Sequence, residues 1–143
     1  MGYGIQKNLS LAKKHFQQAA NKGHTGAQEA MLDAVDIHNR GLKYLKETEF
    51  EKAHADLTNI IYDYDSLDGM TKDIEMSARF NRGVANYNKA INKKNDGLMT
   101  AAVIEATRAI SDWEEVIRYD TSSERIAQAK VLIENTKRKI GLS

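Results

Sequence analysis

Apolar residues recur at steps of three and four along the chain, and this spacing constrains its fold more than any other feature. The first such stripe is formed by Leu9, Ala12, Phe16, Ala19 and Gly23. No run of strict polar–apolar alternation competes with it, and the 143 residues include no proline. Because alternation is the signal of strands and proline interrupts helices, the pattern predicts an all-α chain.

Helix ends can be located from residues that cap them. Three starts fit a capping box, in which a hydroxyl side chain and a later Glu or Gln accept each other's backbone N–H groups: Thr25 with Gln28, Thr48 with Glu51, and Thr121 with Glu124. Further N-caps are expected at Asn8, at Thr71 or Asp73, and at Asp96. Together these signals predict six helices, at about 8–22, 25–47, 49–63, 72–93, 97–119 and 122–139.

The tripeptide Asn-Arg-Gly occurs twice, at residues 39–41 and 81–83. A glycine inside a helix costs about 1 kcal/mol relative to alanine, so two in matching contexts indicate a packing role. We expect each glycine to lie where the two helices of a hairpin approach closely. Repetition of this kind favours a solenoid of hairpins over a simple bundle.

Residues at fixed intervals after Gly41 extend this repeat. Those that carry the pattern are Tyr44, Phe50, Ala53, Leu57 and Ile60, followed by a second copy with Gly83, Tyr87, Ala109, Trp113, Val116 and Ile117. This spacing resembles the tetratricopeptide repeat, although Asp65 stands where that family has a closing proline. The second copy resumes 14 residues late, which is seven residues for each of two helices. We therefore predict a hairpin about 10 Å taller than its neighbour, with its tip at residues 92–97.

The opening stretch carries a different pattern. It runs through Gly2, Gly4, Ile5, Lys7, Asn8, Ala12, His15, Phe16, Ala19, Ala20, Gly23, His24, Ala27 and Gln28. It resembles the second half of a Sel-like repeat, with His15 replacing the first of two aromatic residues. The first helix of that repeat is missing from the sequence, which leaves one side of helix 8–22 without a partner. The residues expected on that open side are Ile5, Leu11, His15 and Gln18.

The resemblances imply one domain over residues 1–143, a short right-handed α-α superhelix. Its parts are a half repeat at 2–33, a repeat at 34–65, an enlarged repeat at 72–119 and a capping helix at 122–139. Either the chain is a piece of a longer solenoid or a partner docks on the open N-terminal end. That partner could be a second copy, which would make the protein a homodimer.

The tetratricopeptide resemblance also implies a concave groove lined by the first helix of each repeat. Its lining here is His38, Leu42, Leu45, Lys46, Phe80, Asn81, Val84, Tyr87 and Asn88. Leu42 and Val84 stand where family members that clamp a terminal carboxylate have Asn, so that clamp is not expected. The alternative is that these residues pack against flanking helices, above all Phe80 and Leu45.

Composition and motifs argue against other functions. The net charge of +1 gives no field to attract nucleic acid, and the basic run at 137–139 suits the C-terminal end of a helix. Without cysteine, and with four histidines in no zinc-binding pattern, the sequence predicts no metal, no cofactor and no enzyme activity. It shows neither a membrane-spanning segment nor a signal peptide; this slightly favours a cytoplasmic location but leaves the compartment open, since upstream repeats could carry a signal peptide.

The sequence therefore predicts a non-catalytic module that binds a partner protein or peptide in a shallow groove or at its open end. The alternative is a structural module that forms homodimers through the N-terminal helix.

Overall fold

The computed structural model describes residues 32–142, which form five helices and no β-strand. The helices are α1 (Ala34–Lys46), α2 (Phe50–Tyr62), α3 (Lys72–Asn95), α4 (Met99–Tyr119) and α5 (Ser123–Ile140). This confirms the all-α prediction. The predicted helix at 8–22 lies outside the described residues, as do the caps expected at Asn8 and Thr25.

The first described helix begins later than expected. Asp33 caps α1: its Oδ1 accepts from the backbone N–H of Asp36 at 2.9 Å. In return, Oδ2 of Asp36 accepts from the backbone N–H of Asp33 at 3.4 Å. The backbone N–H of Ala34 also donates to the carbonyl of Asp68 at 2.9 Å. Leu32 and Asp33 are therefore outside any helix, and the prediction of one continuous helix over 25–47 is wrong.

The capping box expected at Thr48 and Glu51 is absent, because Thr48 belongs to the end of α1. Its φ is +59°, and its backbone N–H donates to the carbonyl of Leu45 at 3.1 Å. Its hydroxyl donates to the carbonyl of Glu47 at 2.6 Å instead of capping α2. That helix begins at Phe50 without a side-chain cap.

The remaining helix ends agree in part with the sequence. Thr71 caps α3, its hydroxyl accepting from the N–H of Ile74 at 3.2 Å, as expected. Asp96 does not cap α4; it follows the last residue of α3, and Gly97 then takes a φ of +77°. The cap of α5 is Ser122, one residue after the expected Thr121.

The helices pack in chain order as a solenoid-like stack. Each contacts the next, and α3 also contacts α1 and α5. Within residues 32–142, no Cα atom of α2 lies within 8 Å of a Cα atom of α4. The odd-numbered helices, which run parallel, therefore form the more closely spaced inner layer, and the even-numbered helices form the outer layer.

The second hairpin is longer than the first. Helices α3 and α4 have 24 and 21 residues, against 13 in each of α1 and α2. On the tip side, α3 continues from Gly83 to Asn95, whereas α1 continues only from Gly41 to Lys46. The difference is seven residues, the value that the delayed second copy predicts. Buried Ala90, Ala102 and Ala106 pack under this extension with Ile140 of α5.

The two glycines of the Asn-Arg-Gly tripeptides lie at close helix contacts. A Cβ on Gly41 would lie 3.0 Å from Leu57 Cδ2 of α2, and a Cβ on Gly83 would lie 2.5 Å from Trp113 Nε1 of α4. Trp113 is fully buried, and its Nε1–H donates to the carbonyl of Phe80 at 3.1 Å. The packing role expected for both glycines is therefore present, and that of Gly83 is the tighter.

Candidate interaction surface

The groove residues predicted on α1 lie on the inner layer in different environments. The Nε2 of His38 is 2.8 Å from the hydroxyl of Ser77 on α3, which links the two helices. Burial lowers the pKa of His38, although the charge of Asp73 acts in the opposite direction. Leu42 is half-buried and Lys46 is exposed. Lys46 and one side of Leu42 are therefore accessible, and His38 is a helix-to-helix contact.

Three predicted groove residues of α3 serve the core as well as the surface. Phe80, Val84 and Tyr87 are half-buried and pack against the cluster around Trp113. The ring centroids of Tyr87 and Trp113 are 6.4 Å apart with the planes tilted by 45°. Part of each of these side chains therefore packs against flanking helices, which is the alternative to lining a groove. Leu45 of α1 likewise packs against a core cluster.

The two asparagines predicted for the groove are held by their own helix. The Nδ2 of Asn81 donates to the carbonyl of Ser77 at 2.8 Å, and the Nδ2 of Asn88 donates to the carbonyl of Val84 at 2.9 Å. Both are half-buried. These bonds hold both carboxamides in one orientation on the helix surface.

Helix α5 adds residues to this surface that the sequence analysis assigned only to a cap. Asn135, Arg138 and Lys139 line a recess of about 360 Å³ together with Tyr87 of α3. The order of the helices could have predicted this, because the fifth helix of a hairpin series lies in the same layer as the first and third. We call this recess the inner recess.

The outer layer has a separate polar cleft between α2 and α4, with a volume of about 410 Å³ and its floor on α3. It is lined by His54, Thr58, Tyr62, Arg82, Asn86, Arg108, Ser111 and Asp112. Burial lowers the pKa of His54, and the positive charges of Lys89 and Arg82 lower it further.

Asn86, at the floor of this cleft, is the residue of the second repeat that matches Tyr44 of the first, which corrects the alignment given by the sequence. The offset that relates Gly41 to Gly83 places Asn86, not Tyr87, in register with Tyr44. Asn86 is only 1% exposed, and its Oδ1 has no hydrogen-bond partner among the described residues. A small amide thus occupies the position that holds a large aromatic side chain in the first hairpin.

Both hairpins contain an ion pair that the sequence analysis missed. In the second, Arg82 donates from Nε and Nη2 to the two carboxylate oxygens of Asp112, at 2.9 and 2.7 Å. In the first, Arg40 makes the same pair with Asp56, at 2.8 and 2.7 Å. Each arginine directly precedes a packed glycine. Each aspartate directly precedes the residue whose side chain contacts that glycine. That shared position is the signal that could have predicted the pairs.

The open-end residues Ile5, Leu11, His15 and Gln18 lie outside the described residues. Within residues 32–142, no three His, Asp or Glu side chains are grouped so that they could hold a metal ion. In the same part of the chain, no helix has both the length and the apolar character that a membrane span requires.

Comparisons of the chain with protein-family models, with curated proteins and with solved structures find no match. The class is therefore defined by the fold itself: a short, solenoid-like stack of α-helical hairpins, with a recessed and partly polar surface on its inner layer.

Proposed function

We propose that this protein is a non-catalytic interaction module related to tetratricopeptide-like repeats, and that its inner layer binds a segment of another protein. The observation that carries the proposal is the inner recess, where Tyr87 meets Asn135, Arg138 and Lys139 beside the predicted groove residues. An aromatic wall bordered by carboxamides and cations suits a peptide that buries a few side chains and pairs its polar groups at the edge.

The chemistry of the inner layer supports binding rather than catalysis. The polar side chains of the inner recess are a carboxamide, an arginine, a lysine and a tyrosine, groups that suit orienting a ligand rather than accepting a proton from it. His38 is engaged by Ser77 at 2.8 Å. The repeated ion pairs and the two packed glycines support the proposed repeat relationship, because the arginine and the glycine recur at adjacent positions of the first helix, and their two partners at adjacent positions of the second helix, in both hairpins.

The test is selection of peptides from a random library on the immobilised protein, followed by binding measurements with two variants. Val131 of α5 is 59% exposed and shares a helical stripe with Asn135 and Arg138. We expect Val131→Asp to weaken the selected peptides at least about tenfold. Ile104→Asp, at a 48% exposed residue of α4, is the matched control and should leave binding unchanged.

Two results would contradict the proposal: no peptide is enriched over the bare support, or the two variants weaken binding equally. Amide chemical shifts give an independent readout. Shifts caused by a selected peptide should cluster on α1, α3 and α5 rather than on α2 and α4.

The alternative function is self-association through the N-terminal helix, and it depends on residues outside the described part of the chain. Light scattering on the wild type and on Leu11→Asp tests it directly. A dimer that the substitution separates supports this alternative, and a wild-type monomer contradicts it.

A further inference from the structure

The three parallel helices of the inner layer have the same distribution of charged residues along their length. Their first turns carry acidic residues and their last turns carry only basic ones: Lys43 and Lys46 in α1, Lys93 and Lys94 in α3, and Lys137, Arg138 and Lys139 in α5. The outer helices differ, since the last turn of α2 has no basic residue and that of α4 has one, Arg118. One edge of the inner layer is therefore basic.

Three of these cations gather at a single corner. The Nζ of Lys94 donates to the backbone carbonyl of Lys139, which joins the C-terminal ends of α3 and α5. Arg138 and Lys139 border the inner recess beside Tyr87. We call Lys94, Arg138 and Lys139 the basic corner. The last turn of α1 is not level with it, because α3 extends seven residues farther toward the hairpin tip.

No described carboxylate lies within ion-pair distance of a cation of the basic corner. Among the described residues, none of its three cations forms an ion pair. Other cations of the protein are paired: Arg82 with Asp112 at 2.7 Å and Arg125 with Asp73 at 2.8 Å. Arg138 donates only to the neutral amide of Asn135. The positive charge of this corner is therefore available to an anionic partner.

Helix dipoles explain part of this arrangement but not all of it. A cation near a helix C-terminus is favourable, and the bond from Lys94 to a terminal carbonyl is an example. The dipole does not account for a recess of about 360 Å³ whose walls are the aromatic ring of Tyr87, the amide of Asn135 and two cations. A concave surface with an uncompensated edge is a feature of binding sites.

We infer that the basic corner binds an acidic stretch of the partner protein, with Arg138 and Lys139 pairing two or three of its carboxylates beside Tyr87. This inference rests on the proposed function and names the chemistry of its partner. An arginine fork suits a carboxylate geometrically. The corner is formed by the ends of only two helices, whose axes are about 10 Å apart, and it suits a short acidic stretch. The overall net charge of +1 agrees with this choice.

The test measures fluorescence anisotropy of a labelled oligo-glutamate peptide, with oligo-glutamine as the neutral counterpart. The full chain should bind oligo-glutamate, bind oligo-glutamine much more weakly, and lose affinity as salt rises to about 0.3 M. Arg138→Glu with Lys139→Glu should weaken oligo-glutamate binding at least about tenfold.

The matched control is Arg108→Glu with Arg118→Glu on α4. These arginines are 61% and 65% exposed, and the substitutions change the net charge by the same amount. We expect less than about a twofold effect. Arg138→Gln with Lys139→Gln removes charge without introducing repulsion and should give an intermediate loss; circular dichroism shows that each variant is folded.

Several outcomes overturn the inference. Equal losses in the two charge-reversal variants mean that only net charge matters. Tighter binding of single-stranded DNA than of oligo-glutamate, lost with the same substitutions, identifies a nucleic-acid surface instead. Failure to bind oligo-glutamate, while selected peptides still bind the inner layer and respond to Val131→Asp, rejects the acidic partner but leaves the proposed function intact.

Discussion

Arg82 and Asp112 are joined by two parallel hydrogen bonds of 2.9 and 2.7 Å, and this pair connects α3 to α4 beside the buried indole of Trp113. The side chains are 14% and 5% exposed, so both charges are largely removed from water. Burial acts against the charged form of Arg82, but the bond and charge of Asp112 outweigh it and raise the pKa of the guanidinium. The pair is therefore a largely buried ionic link between the two helices of the longer hairpin.

Removing one partner should expose the cost of burying the other. We expect Asp112→Asn to lower the free energy of unfolding by about 3 kcal/mol, because Arg82 keeps its charge without a counterion. Asp56→Asn is the matched change in the first hairpin, where Arg40 is 28% exposed; it should cost about 1 kcal/mol. Urea denaturation measures both values. Equal losses would show that burial does not set the difference.

The two packed glycines should respond differently to alanine. A Cβ at Gly83 meets the rigid indole of Trp113 at 2.5 Å, so Gly83→Ala should destabilise the protein by about 2 kcal/mol despite better helix propensity. At Gly41 the nearest atom is the movable end of Leu57 at 3.0 Å, and the gain in propensity, about 1 kcal/mol, should offset the contact.

Thermal unfolding of the two alanine variants measures these effects. A double variant, Gly83→Ala with Trp113→Leu, should respond less to the alanine than the wild-type background does, since the obstructing ring is gone. Additive effects of the two changes would argue against a direct clash.

Stability should fall as the solution becomes acidic. Burial lowers the pKa of both His38 and His54, so the unfolded chain binds protons more readily than the folded one. Their contribution is fully present above the unfolded pKa of about 6.5 and is lost as pH falls through the lower folded pKa values. We expect a lower melting temperature at about pH 5 than at about pH 7.5. His38→Gln with His54→Gln should flatten this dependence, and an unchanged slope would contradict the assignment.

The buried amide of Asn86 should be a source of instability. Its Oδ1 is buried and unpaired among the described residues, so the burial of this oxygen is not compensated by a protein hydrogen bond. Asn86→Leu should raise the free energy of unfolding by about 1 kcal/mol. Asn81→Leu is the control: the Nδ2 of Asn81 donates to the Ser77 carbonyl at 2.8 Å, so no gain is expected there. Chemical denaturation of the two variants decides the matter.

The sequence predicted the helices better than their ends. Apolar spacing and capping residues together predicted a helix at the position of each of the five described helices. Caps are ambiguous when loops are short, because one residue can belong to the end of one helix or to the start of the next. Thr48 is the example: it has the side chain of an N-cap, but its left-handed φ of +59° makes it part of the preceding helix end.

The surface was predicted less completely, for a physical reason. Side-chain contacts between helices depend on packing that local spacing does not describe. His38 looked like a groove residue but contacts Ser77, 39 positions away along the chain. Arg138 looked like a response to the helix dipole, and its position beside Tyr87 follows only from the docking of α5 on α3. Only the recurrence of Arg-Gly in both hairpins could have suggested the ion pairs.

The Cα atoms of α2 and α4 are more than 8 Å apart throughout residues 32–142, and this separation has a mechanical consequence. The outer helices α2 and α4 each pack on α3 and do not share a core with each other. The distance between them can therefore change without disrupting such a core. The inner helices, which do touch, resist the corresponding motion. We therefore expect the curvature of this stack to change more readily by widening or narrowing the space between α2 and α4 than by stretching its inner layer.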